Sequence, residues 1–295
     1  MAPPIRVQDL QGSVGAAPKA ANAAADVKLV QRLFNRLDGR KASTEDGTIE
    51  PDLVARIRRY QTEVMHFTTA DGRIDPGGKT IARLCQDALA ALSLPPAAPG
   101  AKLWPQDFAE AAARLGPGIE PALVRAFAEV ESGGKSGFGP AGLPIIAYEG
   151  HRFRKYTGKI YDQSHPKLSY PYVKKAGPEW QVNNANQQVA WTTLAAAAAL
   201  DWDAALMACS WGMFQVMGDN FTTCGYPDVD GYVYDMKRGE RGQLDAFVGF
   251  CKGTSGLVAA MRAKAYDRMA TLYNGPDFGD YDKRIKRAYE RYSTG

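Results

Sequence analysis

Apolar residues recur at three- and four-residue spacing in two separate blocks of the chain, with a proline-rich break between them. In the first block Val27, Val30, Leu33, Phe34 and Leu37 form one helical stripe, with Asp26 placed to cap it. Leu53, Ile57, Tyr60 and Val64 form a second stripe, opened by Pro51. The run Asp71–Gly72–Arg73–Ile74–Asp75–Pro76–Gly77–Gly78–Lys79–Thr80 is turn chemistry, and a third helix follows with Ile81, Leu84 and Cys85. The stretch LSLPPAAPGAKLW, residues 92–104, reads as a semi-extended linker. Beyond it the periodicity predicts helices over about 105–115, 119–131, 185–200, 203–209, 240–251 and 255–273. The aromatic middle, 148–180, is expected to hold long loops or a small β-element, because strand-like alternation is nowhere sustained. The predicted architecture is mostly α. A flexible lead-in (1–25) precedes a three-helix domain (26–91), the linker (92–104) and a larger, predominantly helical domain (105–295).

Composition narrows the classes of function. With 45% apolar and 23% charged residues among 295, the chain has enough hydrophobic material for real cores. The net charge of +4 is spread evenly: 13 Lys/Arg against 11 Asp/Glu before residue 93, and 23 against 21 after it. No basic stripe results, which argues against a dedicated nucleic-acid binder. The most apolar run, Leu194–Leu200, is mostly alanine and too short to span a bilayer. The opening MAPPIRVQDL lacks the apolar core of a signal peptide. Synthesis in a cytoplasm is therefore expected, with any extracytoplasmic target reached by release. A monomer is expected. Cys85, Cys209, Cys224 and Cys251 are widely spaced and the histidines are only His66, His151 and His165, so neither a metal nor another cofactor is expected. Cys209, in an Ala-rich stretch read as helical, is expected to be a buried small hydrophobe. A Cys224–Cys251 disulfide is left open.

The candidate chemistry begins at the helix IEPALVRAFAEVE, residues 119–131, which Ser132–Gly133–Gly134 stops. Glu131 stands four residues after Phe127 and eight after Leu123, on the apolar face. Glu129 points elsewhere, four residues after Arg125, where a surface ion pair is natural. A carboxylate on the buried side of a helix end is disfavoured as the anion, so its pKa should rise, as a general acid near neutral pH requires. The bland alternative is a buried Glu paired with a distant Arg. Two further motifs follow in order: Ser210–Trp211–Gly212–Met213–Phe214–Gln215, then Leu272–Tyr273–Asn274–Gly275–Pro276. Between them and the helix lies Leu143–Pro144–Ile145–Ile146–Ala147–Tyr148–Glu149–Gly150–His151–Arg152–Phe153.

Residues 26–90, with DGT, RRYQ and DGRIDPGGKT between helices, resemble the peptidoglycan-binding domains appended to wall hydrolases. That likeness implies a ligand near the turn of Asp71, Gly72 and Asp75. V-E-S-G-G, S-W-G-M-F-Q and Y-N-G-P in this order resemble goose-type lysozymes and soluble lytic transglycosylases. With the 143–153 stretch, residues 105–292 resemble more closely the N-acetylmuramidase family of phage endolysins; Ala147 departs from the apolar residue more usual there. The resemblance implies a lysozyme-like catalytic domain acting on peptidoglycan glycan strands, with Glu131 as the acid that protonates the glycosidic oxygen between N-acetylmuramic acid and N-acetylglucosamine. It implies substrate contacts from Ser132, Ser210, Gly212, Phe214, Gln215 and Asn274, and a hydrogen bond from Tyr273 near Glu131. Glu149 is either a second catalytic carboxylate or a structural partner of Arg152 or His151. Water attack and attack by the muramyl C6 hydroxyl both remain open. The use of the same chemistry by a bacterial effector or autolysin, and a non-catalytic wall-binding protein, are the alternatives.

Overall fold

In the computed structural model of the protein, the described residues are 10–39, 41, 43–96, 102–174 and 176–294. They form 14 α-helices and five strands of two or three residues. The fold is mostly α and lysozyme-like, as the periodicity and the resemblance predict. The chain divides into two compact units, residues 1–94 with 195–202, and 95–194 with 203–295.

The first unit contains α1 (Ala24–Asp38), α2 (Pro51–Arg59, continuing as a π-helical turn Tyr60–Val64) and α3 (Lys79–Leu92). Val27, Val30, Leu33, Phe34, Ile57, Ile81 and Leu84 meet in one core, so the three apolar stripes face one another. Two expectations are corrected. The segment from Leu10 onward is not a free lead-in: Leu10 and Val14 are buried, and β1 (Val14–Gly15) pairs antiparallel with β2 (Arg73–Ile74). Residues 1–9 lie outside the described residues, as do 97–101 of the expected linker. Asp26 does not cap α1 but sits in its first turn, where its carboxylate accepts from the backbone N–H groups of Gln11 and Gly12 at 2.9 and 2.8 Å. It thereby ties the preceding segment down.

The second unit runs α4 (Pro105–Leu115), α5 (Pro121–Ser132), β3 (Ile146–Tyr148), α6 (Gly150–Tyr156), α7 (Pro178–Asn183), α8 (Gln187–Leu200, whose last turns belong to the first unit) and α9 (Trp202–Met207). It continues β4 (Cys209–Trp211), β5 (Val216–Met217), α10 (Val229–Arg238), α11 (Glu240–Gly253), α12 (Leu257–Arg262), α13 (Tyr266–Asn274) and α14 (Tyr281–Ser293). The three strands form an antiparallel sheet in the order β3-β4-β5. The free edge of β3 is satisfied by side-chain amides: Asn184 and Gln187 each bond both the N–H and the C=O of Tyr148 and Ile146 respectively, at 2.7–3.0 Å. An edge that would otherwise be left open is thus closed without another strand.

Several local expectations are revised. The helix expected over 255–273 is broken at Ala263–Ala265, where Lys264 adopts φ 53°. Cys209 is buried as expected but opens β4 rather than lying in a helix. All four cysteines are free, which closes the question of a Cys224–Cys251 bridge. Glu129 does not pair with Arg125. It accepts from Arg291 and Tyr292 of α14, while Arg125 lies over the Tyr292 ring at 4.1 Å.

Candidate active site

Pro121 at the first helical position starts α5, and Gly133 in the left-handed conformation (φ 63°) ends it, which places Glu131 in the last turn. Phe127, Leu123 and Val124 bury the other turns of the same helix. Glu131 is half-buried as a residue, with its carboxyl end enclosed. The enclosing residues come from the far end of the chain, because α14 packs along α5. Tyr281, 3% exposed, donates its hydroxyl to Glu131 Oε1, and Arg284 one turn later donates to the Val130 carbonyl at 2.6 Å. Burial pushes the Glu131 carboxyl up to about 7. The Tyr281 hydrogen bond and the Arg284 charge oppose that rise without cancelling it.

Tyr273 completes this wall. Its ring stacks on Tyr281 (centroids 6.2 Å apart, planes within 12°) and meets Phe127 at 5.1 Å. Its hydroxyl donates to the Phe214 carbonyl at 2.6 Å rather than to Glu131. That bond joins α13 to the turn between β4 and β5. In the turn, Gly212 (φ 68°) and Gln215 (φ 46°) take left-handed conformations. The Gln215 side chain is used up inside the turn: its amide donates to the Gly212 carbonyl at 2.7 Å, and its oxygen accepts from Ser210 Oγ at 2.7 Å. Phe214 faces the core, stacked on Phe247 with centroids 4.4 Å apart. Ser132 Oγ bonds back to the Ala128 carbonyl at 2.6 Å, and Asn274 is exposed at the end of α13. Glu131, Tyr273 and the Phe214 backbone are therefore brought together, with Ser210, Gly212 and Gln215 shaping the turn beside them.

Three residues that the motifs do not single out carry this arrangement: Tyr281, Arg284 and Gln243. Gln243, 1% exposed, accepts from the Met213 N–H at 2.7 Å and donates to the Met236 carbonyl at 3.1 Å, so α11 holds the turn from below. The signal available for Tyr281 is weak. Tyr281, Ile285, Ala288 and Tyr289 are buried at helical spacing in α14, but strongly polar residues surround them.

Glu149 lies elsewhere. Its N–H extends the β3–β4 ladder by bonding the Ala208 carbonyl at 2.8 Å, at the end of β3 opposite the Gly212–Gln215 turn. The three residues of β3 between those ends span about 10 Å at about 3.3 Å per residue. Its carboxylate accepts from Trp180 Nε1 at 2.8 Å and faces His151 Nδ1 at 3.3 Å, while Arg152 pairs with Asp219 instead. The cavity that Glu149 lines, with His151, Tyr170 and Trp180, does not have Glu131 among its lining residues.

In the first unit, Asp71 accepts from Gln61 and from the Arg73 N–H, both at 3.0 Å, and Asp75 pairs with Arg73 at 2.9 Å. Gly72 takes φ 71°, and its N–H is held by Gln61 at 2.9 Å. These residues build the turn. A cavity of about 380 Å³ lies against α1 and α2, lined by Phe34, Leu37, Asp38, Arg56, Arg59, Tyr60, Glu63 and Val64. Among the described residues no group of three His, Cys, Asp or Glu is arranged to hold a metal ion. No helix among them is long and apolar enough to cross a membrane.

An enclosed carboxyl whose pKa is lifted to about 7, on a helix of a lysozyme-like fold, has the properties that general-acid glycoside cleavage requires. The N-acetylmuramidase family matches residues 120–293, and the chain belongs to that family, as a glycosidase acting on peptidoglycan. The crystal structure of the Burkholderia AP3 phage endolysin is similar to it, with 31% sequence identity and a TM-score of 0.58 over 96% of this chain and 100% of that one. No curated protein matches it.

Because the Tyr281 hydrogen bond holds the Glu131 pKa down, Tyr281→Phe should raise it. With Glu131 read as the catalytic acid, the alkaline limb of kcat/KM should move to higher pH, with roughly tenfold lower activity from one lost hydrogen bond to the acid. A pH profile of the variant beside the wild type reads both. An unmoved limb would remove Tyr281 from the site.

Proposed function

We propose that the chain is a phage-type endolysin that cleaves the β-1,4 bond between N-acetylmuramic acid and N-acetylglucosamine. The observation that carries this reading is Glu131, protonated near neutrality and hydrogen-bonded to Tyr281. Glu131 gives its proton to the glycosidic oxygen, N-acetylglucosamine leaves through its 4-hydroxyl, and positive charge develops at C1 of the muramyl ring. Glu131, now a carboxylate, takes a proton from the incoming nucleophile. If that nucleophile is water, the muramyl residue gains a reducing end; if it is its own C6 hydroxyl, a 1,6-anhydro ring closes.

The first route uses a second carboxylate or a water placed by other groups, and the second asks for one carboxylate acting twice. Mass spectrometry of the released muropeptides separates them, since the anhydro product is lighter by one water. Reducing ends alone would assign the reaction to hydrolysis. Neither product, from soluble glycan strands or from walls, would end the muramidase reading.

The first unit is read as the wall-binding module, on its resemblance and its separate core. The Glu131→Gln chain should sediment with purified walls, and Tyr60→Ala with Arg59→Ala, in the α1–α2 cavity, should weaken that sedimentation. The expected setting is synthesis in a host cytoplasm, release to the periplasm, and lysis of the host.

A further inference from the structure

In the α1–α2 cavity of the first unit, the framework uses only some of the charged groups. Arg56 pairs with Asp38 at 2.7 Å and donates to the Phe34 carbonyl at 3.0 Å, so these two belong to the framework. Arg59 and Glu63 remain. Both are exposed at the rim, and among the described residues neither side chain forms a hydrogen bond or an ion pair, although their i,i+4 spacing would permit one between them. Deeper in, the cavity is apolar: Phe34 and Tyr60 are 1% and 5% exposed, with Leu37 and Val64 half-buried beside them.

Two observations narrow what such a cavity holds. One wall, formed by Tyr60, Glu63 and Val64, is the π-helical turn Tyr60–Val64. A π turn is rare and recurs at functional sites, because its extra residue re-aims side chains that a regular helix would place elsewhere. Here Gln61 turns inward, where it holds the 71–73 turn, while Glu63 and Val64 line the cavity. The second observation concerns the rings. A sugar platform needs an open aromatic face, but the Arg56 guanidinium lies over Phe34 at 4.5 Å, and Tyr60 meets Phe34 edge-on at 5.7 Å. Among the described residues, the cavity therefore offers a ligand one uncommitted cation and one uncommitted anion, a helical turn apart, beside aliphatic side chains. That set complements an amino-acid group carrying both a carboxylate, which suits the guanidinium fork, and an ammonium. A neutral sugar would leave both charges unused.

We propose that the α1–α2 cavity binds the free zwitterionic end of a peptidoglycan stem peptide: the carboxylate on Arg59, the ammonium on Glu63, and methyl or methylene groups against Leu37 and Val64. The proposal rests on the reading of the first unit as the wall-binding module and deepens it. The module grips peptide rather than glycan, and it prefers uncrosslinked stems, since crosslinking turns the amine into a neutral amide. Its hold on the wall then survives cutting of the glycan strand.

The test uses the full-length Glu131→Gln chain, so that nothing is turned over, and reads binding by calorimetry. The probes are an N-acetylated stem tripeptide ending in diaminopimelate, the same tripeptide acetylated also on its side-chain amine, and peptide-free glycan strands. The amine-bearing tripeptide should bind, and acetylating the amine should weaken it about tenfold or more. Adding Glu63→Gln should weaken the amine-bearing tripeptide by a similar factor and leave the acetylated one unchanged, because the pair it removes is already gone. Arg59→Gln should weaken both. Both positions are exposed, so thermal melts of these variants should match the parent chain. Equal binding of the two tripeptides, or an equal loss on both from Glu63→Gln, would overturn the proposal. Glycan-strand binding that Arg59→Gln weakens as much as it weakens the tripeptide would also overturn it and make the cavity a sugar site. Sedimentation with purified walls is measured alongside. A chain that pellets with walls but binds neither tripeptide refutes the proposal and leaves the wall-binding reading intact. A chain that does not pellet ends that reading, and the tripeptide isotherms still decide the cavity.

Discussion

Glu131→Gln is expected to lose wall-clearing activity by about 10²–10⁴-fold, the usual contribution of a positioned general acid. The same substitution should make the protein more stable at neutral and alkaline pH. Burial lifts the carboxyl from 4.5 to about 7, so between those values the folded state holds a proton that the unfolded chain has lost. The wild type is therefore destabilised progressively as pH rises through that window, whereas Gln stays neutral throughout. The variant's advantage should be absent below pH 4.5, grow toward pH 7 and then level off at no more than roughly 3 kcal/mol. Gln keeps an oxygen for the Tyr281 hydroxyl, so the local packing survives. Turbidity clearing together with thermal melts at pH 4, 6 and 8 checks both effects. Full activity, or melts that run parallel to the wild type at every pH, would show that Glu131 is neither the acid nor enclosed.

Gly212→Ala is expected to lose about 2–4 kcal/mol and to damage the site from its underside. The residue has φ 68°, a conformation that costs a side chain about 1 kcal/mol. An added Cβ would also lie 2.4 Å from the Gln243 Cδ. Gln243 is buried and already bonded to Met213 and Met236, so it can move only by giving up those bonds, at about 1–3 kcal/mol more. Displacing the turn also displaces the Phe214 carbonyl that receives Tyr273. Gly133→Ala is the control: φ is 63° there, but a Cβ meets nothing within 4 Å, so only the conformational cost applies. Denaturant unfolding of the two variants separates backbone strain from the steric effect. Equal losses would mean that the Gln243 contact contributes nothing.

How much of the site was legible depended on how local its cause is. The carboxylate on the apolar side of α5 was readable because helix geometry alone sets its face, and Pro121 and Gly133 set where that helix begins and stops. The 210–215 motif was readable as part of the site through the order of the motifs, but its form as a tight turn, with Gly212 at φ 68°, was not. The use of Gln215 was not: nothing in its sequence context shows that its amide bonds inside the turn while Tyr273 reaches the Phe214 carbonyl. The Arg125–Glu129 pairing failed for a similar reason. Two aromatic and cationic residues of α14 outcompete a weak i,i+4 surface pair once that helix docks. Helix α14 itself went unread because only Tyr281, Ile285, Ala288 and Tyr289 are buried among strongly polar neighbours.

The linear chain by itself determined the mostly helical character, the first unit's three apolar stripes, and the carboxylate at the end of α5. Each of these follows from interactions within a few residues, which periodicity and turn chemistry report directly. Only the tertiary structure decided that burial lifts the Glu131 pKa to about 7, that Tyr281 and Arg284 moderate it from about 150 residues away, and that Glu149 lines a cavity with His151, Tyr170 and Trp180. A pKa is set by the dielectric and charges within a few ångströms, and folding alone chooses which distant side chains those are.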